Sequence, residues 1–291
     1  MKKRASQQNT LRITVKKRRF GRAAALLLLL LLSPAANVFY SMAVMSVYSR
    51  MHEADSILAT EGITLSIPGG LSTPRSDWYP FVMTFCADSG FRRFTGNPSL
   101  SLTILYNFPA FSPLRGCSRL YDTESPYYNS FYGAYLVKDE RGLPYGFSEA
   151  ADGTLFPDAD AVAEVPRYDF QSLVLSEFGL TAANAVFDWR VTEITGGQSY
   201  AGKNDFFRID AELTVNGAAH IYHGFTQSYL QYGRPGFPAK EPLASVCMYG
   251  RLYGTYLEEK QVSLFFYIVA ADKEVLEECD RELLSRSTLR Y

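Results

Sequence analysis

The chain has 291 residues, of which 47% are hydrophobic, 14% aromatic and 20% charged, and its formal net charge is −1. That balance is globular and rich in Tyr and Phe, with no low-complexity run and no internal repeat. The charge is unevenly divided: nine cations and no acid fall in the first 22 residues, so the whole-chain −1 becomes −10 once those nine are set aside. An acidic remainder of this kind excludes a general nucleic-acid binder and a partner for anionic membrane surfaces.

Residues 1–22 read as a basic cytoplasmic tail, and from Ala23 to Ser49 there is no ionisable acid or base. As a helix, that stretch reaches about 40 Å, more than the roughly 30 Å hydrocarbon core requires. The reading is a single transmembrane anchor over 23–49, oriented by the positive-inside rule with its N-terminus cytoplasmic and the rest of the chain outside. A cleavable signal peptide is the alternative, with Ala23–Leu32 as its apolar region and Ser33-Pro34-Ala35 as a cleavage site; the product would then be secreted. The apolar residues after that site, Val38 to Tyr48, favour the anchor, and a kink at Pro34 is tolerated in a membrane. A basic arm for nucleic acid does not fit a run of leucines from Leu26 to Leu32.

Residues 50–75, with Pro68, Gly69, Gly70 and Pro74, read as a membrane-proximal linker outside the core. An extracytoplasmic domain then spans 76–291, long enough for one sizeable core. Strand patterns cover Phe81–Ala87, Leu100–Phe108, Ser130–Val137, Pro144–Phe147, Val186–Thr195 and the apolar Val262–Ala270. In Phe207–Val215, apolar Phe207, Ile209, Ala211, Leu213 and Val215 alternate with Arg208, Asp210, Glu212 and Thr214. Asn216-Gly217 follows as a two-residue hairpin turn, and Ala218–Tyr232 is the expected return strand. Asp169 is expected to cap one helix and Asp272 another, the second carrying Val275, Leu276, Cys279 and Leu283 on its apolar stripe and Glu274, Glu277, Asp280 and Arg281 on its wet face. Tyr249, Tyr253, Tyr256 and Leu257 have helical spacing, so 246–257 is assigned to a helix despite Gly250 and Gly254. The fold class is α+β, a mainly antiparallel sheet with helices packed on one side, preceded by the transmembrane helix.

Four cysteines lie in the exported part. Their spacing suggests disulfides pairing Cys86 with Cys117 and Cys247 with Cys279, although the apolar settings of Cys86 and Cys279 suit buried thiols equally well. No Cys-x-x-Cys spacing supports zinc, and no metal or cofactor is expected.

Candidate chemistry is sparse. Gly197 to Lys203 matches the Gly-x-x-x-x-Gly-Lys phosphate-loop spacing, but Asn204 replaces the hydroxyl residue and a strand follows where a helix is needed, so the segment reads as a loop between strands. His220 and His223 fall on opposite faces of a strand and cannot share a metal. With the turn at Asn216-Gly217, His223 stands opposite Asp210 as an acid/base pair or a simple ion pair. Asp152, Asp158, Asp160 and Glu164 form an acidic loop that lacks the calcium-loop pattern, with Val162 and Ala163 at key positions. Tyr121, Tyr127, Tyr128, Tyr132 and Tyr135 are candidates for an aromatic binding platform, although alternation puts Tyr132 and Tyr135 on opposite faces. These features suggest a non-enzymatic binding or assembly protein of the cell envelope, partnered by the membrane through 23–49 and by an envelope protein or glycan. A glycan hydrolase using paired carboxylates is the alternative.

Overall fold

The structure is a computed structural model that describes residues 21–29, 43, 46–69, 82–112, 117–121, 123–174, 183–217, 221–222, 225–226 and 244–291. Residues 21–29 and 46–53 are helical. Among the described residues no helix is long and apolar enough to cross a membrane, and most of the expected span between 30 and 45 lies outside them.

In chain order the domain comprises α1 (Ile57–Glu61), β1 (Thr64–Ser66), β2 (Met83–Cys86), α2 (Asp88–Thr95), β3 (Leu100–Asn107), β4 (Phe111–Ser112), β5 (Cys117–Ser118), β6 (Phe131–Asp139), β7 (Phe147–Glu149) and β8 (Leu155–Pro157). It continues with α3 (Ala159–Tyr168), a π-helical segment (Asp169–Val174), β9 (Phe187–Tyr200), β10 (Lys203–Asn216), β11 (Ile221–Tyr222), β12 (Phe225–Thr226), β13 (Ser245–Leu257), β14 (Val262–Ala270), α4 (Lys273–Glu282) and β15 (Thr288–Arg290). Seven strands form one wholly antiparallel sheet in the order β2-β3-β6-β14-β13-β10-β9.

The central strand β14 reads Val-Ser-Leu-Phe-Phe-Tyr-Ile-Val-Ala and is buried at every position. A strand apolar on both faces needs cover on both. The helices accordingly pack on two sides of the sheet, and the expectation of one helical side is corrected. On the first face, Phe91 of α2, Val162 and Val165 of α3, and Phe170 join Tyr135, Leu213, Phe265 and Tyr267. On the second, Ile57 of α1 and Val275, Leu276 and Cys279 of α4 join Tyr132, Leu264, Phe266 and Ile268.

Several boundaries differ from expectation for identifiable reasons. Residues 50–75 do not form a linker outside the core in their described part: Ile57, Ile63 and Ile67 are buried, and β1 pairs with the C-terminal β15. The helix over 46–53 closes the β2 edge of the sheet. There Ser49 Oγ accepts from the Thr84 amide at 2.9 Å, the Cys86 thiol donates to the His52 carbonyl oxygen at 3.1 Å, and the Tyr48 ring lies 5.3 Å from Phe85.

Segment 246–257 is β13, a strand and not a helix. Its glycines mark close side-chain approach: a Cβ at Gly250 would sit 2.7 Å from Leu213 Cδ1, and one at Gly254 2.8 Å from Phe265 Cδ1. The alternating strand β10 is as expected, but its hairpin partner is β9, through a two-residue turn at Ala201-Gly202 with both φ positive (50° and 77°). Past Asn216-Gly217 the chain resumes pairing at β13, where the Gly217 amide donates to the Ala244 carbonyl at 2.8 Å. Asp169 does not cap the start of a helix but closes the end of α3. Asp158 caps the start of α3, accepting from the Ala161 amide, and Asp169 follows α3 in the π-helical segment.

Candidate functional site

The richest polar assembly lies on the second face of the sheet, where β10 and β13 meet α4. In β13 the odd-numbered residues Tyr249, Arg251 and Tyr253 share the face carrying Arg208, Asp210 and Glu212 of β10, because Asp210 stands directly opposite Arg251. From α4, Glu277 and Asp280 are three residues apart on one side of the helix and point at the same guanidinium. Arg251 Nε meets Asp210 Oδ1 at 2.6 Å, its two terminal nitrogens straddle Glu277 at 2.9 and 3.0 Å, and one of them also reaches Asp280 Oδ2 at 2.9 Å. Arg208 engages the other oxygen of Asp210 at 3.0 Å and Glu193 of β9 at 3.1 Å. The hydroxyls of Tyr200 and Tyr253, stacked with centroids 3.8 Å apart, donate to Asp280 at 2.9 and 2.7 Å. Asp280, expected on the wet face of α4, is in fact buried against the sheet.

Burial opposes the charge on Arg251, yet the hydrogen bonds it donates to Glu277, Asp210 and Asp280 outweigh it and hold the guanidinium protonated. Arg251 in turn keeps the Glu277 carboxyl below the usual range. Desolvation, reinforced by Asp280, pushes both tyrosine hydroxyls above theirs. Next to this cluster an open cleft of about 260 Å³ is lined by Thr192, Glu193, Tyr249, Lys273 and Glu277 among others.

A second buried acid lies in the first core. Asp169 is fully enclosed; its Oδ2 accepts from the Tyr135 hydroxyl at 2.7 Å, and Oδ1 has no partner among the described residues. Desolvation raises its pKa well above the ordinary carboxylate value, which favours the neutral form. Tyr135 stacks on Tyr267 at 4.1 Å.

The expected tyrosine platform is not assembled. Tyr132 and Tyr135 are fully buried in opposite core layers, as their alternation requires. Tyr127 is half-buried and donates to Glu278 of α4 at 3.2 Å, Tyr128 is half-buried, and the Tyr121 side chain lies outside the described residues. Asp210 pairs with Arg251, because the strand beside β10 past Asn216-Gly217 is β13; His220 and His223 lie outside the described residues.

Neither suggested disulfide is formed: Cys86, Cys247 and Cys279 are thiols that take part in no disulfide. Cys247 is exposed, Cys279 is sealed between α4 and the sheet, and the Cys117 side chain lies outside the described residues. Burial pushes the Cys86 thiol up to about 11. Asp158, Asp160 and Glu164 belong to the start and body of α3, where Glu164 accepts from the Tyr145 hydroxyl at 2.9 Å. Gly197 to Lys203 forms the end of the β9–β10 hairpin.

The sequence reading missed Arg251 because it sat in a segment assigned to a helix. Read as a strand, the alternation Tyr249, Arg251, Tyr253 places a lone cation on an otherwise aromatic face, a pattern that demands buried acids nearby. Comparison with family models, with curated proteins and with solved structures gives no match for this chain.

Proposed function

We propose that the chain is a membrane-anchored, extracytoplasmic binding or assembly protein of the cell envelope and that it performs no catalysis. The observation that carries this reading is the helix over 46–53. Its first four residues, 46–49, are the last of the uncharged stretch, and it is clamped to the β2 edge through Tyr48, Ser49 and His52, so an anchor formed by the rest of that stretch would hold the domain through packed structure without a slack tether. The acidic balance beyond residue 22 suits an exposed domain that stays clear of anionic lipid. Its partners in this reading are the membrane and an envelope protein or glycan.

Fractionation of the full chain tests the proposal. Retention in the membrane pellet after alkaline extraction, release on deletion of residues 1–42, and protease sensitivity of the C-terminus only from the extracytoplasmic side are the expected results. A full chain recovered in the soluble fraction, or a C-terminus digested from the cytoplasmic side, contradicts it.

A further inference from the structure

The two edges of the sheet are treated differently. The β2 edge is short and covered by the helix over 46–53, whereas β9 is 14 residues long and, among the described residues, no strand pairs with its outer side. An uncovered edge of this length is a template for another strand. Its side chains say which strand.

Arg190 and Glu193 are three apart and in a regular strand would point to opposite faces. Here Thr192 is an extra residue in a β-bulge: Val191 stands opposite Ala211 and Glu193 opposite Asp210, so Thr192 has no counterpart. The bulge shifts the phase and places Arg190, opposite Glu212, and Glu193 on the same face. It leaves Trp189, opposite Leu213, and Ile194, opposite Ile209, together on the other face. Trp189 borders the first core, while Ile194 is 47% exposed.

We infer that β9 pairs antiparallel with β9 of a second copy of this chain about a two-fold axis at Val191–Thr192, joining the two sheets edge to edge. In that register Arg190 of one protomer faces Glu193 of its partner, Trp189 faces Ile194, and Asp188 faces Thr195, each pair occurring twice by symmetry. A two-fold normal to the sheet carries each face into the same face of the partner, so every one of these pairs is chemically matched. Between Asp188 and Thr195 this register sets the Val191–Thr192 bulge of one strand against that of the other and keeps the ladders in phase, while the second irregularity of β9, near Gly196–Gly197, falls beyond the paired stretch. On the polar face the existing pairs Arg208–Glu193 and Arg190–Glu212 then join into one chain of alternating charge across the axis. Glu193 and Arg190 keep 58% and 69% of their side-chain surface exposed, which leaves both free to reach a second partner. Main-chain bonds supply the affinity and the side-chain pairs fix the register.

The test uses the full chain in density-matched detergent and reads mass by sedimentation equilibrium. Wild type dimerises. Arg190→Glu alone faces two Glu–Glu contacts and Glu193→Arg alone two Arg–Arg contacts, so each weakens self-association by roughly tenfold or more. Mixing the two variants restores a dimer, because every contact between them is again Glu opposite Arg. Circular dichroism checks that both variants keep their sheet. A wild type that stays monomeric, a dimer indifferent to both reversals and to Ile194→Lys, or variants that fail to complement on mixing each overturns the β9 register.

Discussion

Replacing Arg251 with Met tests how the second core layer is held together. The substitution keeps an unbranched apolar stem but removes four contacts of 2.6 to 3.0 Å to Asp210, Glu277 and Asp280. Breaking a buried ion pair by removing one partner costs about 3–5 kcal/mol, because the surviving charge is stranded. The three acids differ in what remains to them. Glu277, 46% exposed, rehydrates; Asp210 keeps Arg208; Asp280, 12% exposed, keeps only the Tyr200 and Tyr253 hydroxyls. The expected loss is therefore about 3 kcal/mol, the lower end of that range, carried mostly by Asp280. Urea unfolding followed by circular dichroism measures it. Adding Asp280→Asn to the Arg251→Met chain should recover part of the loss, because the stranded charge is gone. The pH dependence gives a second readout. Arg251 depresses the folded pKa of Glu277, so that stabilisation is full above the unfolded carboxyl value and disappears as pH falls through the folded one. Wild type should lose this increment below about pH 4.5, and Arg251→Met should not. A loss under about 1 kcal/mol, or no recovery on neutralising Asp280, would refute the picture of a guanidinium shielding a buried carboxylate.

Asp169→Asn keeps the acceptor for Tyr135 and removes the ionisation. The folded pKa of Asp169 is raised, so wild type loses stability as pH rises above the unfolded value near 4, and the advantage of the Asn variant in urea unfolding should widen from pH 4 upward; parallel curves would show that Asp169 ionises freely. Ile57→Ala and Ile63→Ala should each cost about 2–4 kcal/mol, and a chain starting at residue 76 should fail to give a cooperative transition; a cooperative 76–291 fragment would remove 57–67 from the core. Gly254→Val should cost about 1–3 kcal/mol through its clash with Phe265, which differential scanning calorimetry would detect. Maleimide should label Cys247 in the native protein while Cys279 reacts only on unfolding, so the Cys247→Ser chain should lose the fast phase.

The parts of the fold legible in the sequence were those with a strong local period. The alternation of β10, the uninterrupted apolar run of β14 and the Asp272-capped stripe of α4 each declare their element within a dozen residues. Pairing was not legible, because it depends on which distant strand competes best. Asn216-Gly217 is a good turn signal, yet β10 found β9 on one side and β13 on the other. That puts Arg251, 41 residues away, opposite Asp210. Tertiary burial also overrode composition at 50–69, where charges, Pro68 and Gly69 suggested a linker while three isoleucines at Ile57, Ile63 and Ile67 met the sheet. In β13, tyrosines at four-residue spacing satisfied a helix and a strand alike, and only the need to fit Gly250 over Leu213 and Gly254 over Phe265 distinguishes them.

The hydrolase alternative can be weighed against the same groups. Cleaving a glycosidic bond requires one carboxyl kept neutral to donate a proton and a second kept ionised, both reaching the same bond. Among the described residues these properties are found in different places. Desolvation favours the neutral form of Asp169, but it is enclosed on the first face with Tyr135 on its Oδ2, so no sugar oxygen reaches it without opening the core. Asp210, Glu277 and Asp280 cluster beside a cleft on the second face, but Arg251 occupies the space between them and holds the Glu277 carboxyl below its usual range, the reverse of what a proton donor needs. The sheet lies between the two sets. Arg251 and its acids are thus arranged to pin α4 to the sheet, which leaves the β9 edge as the better surface on which to look for a partner.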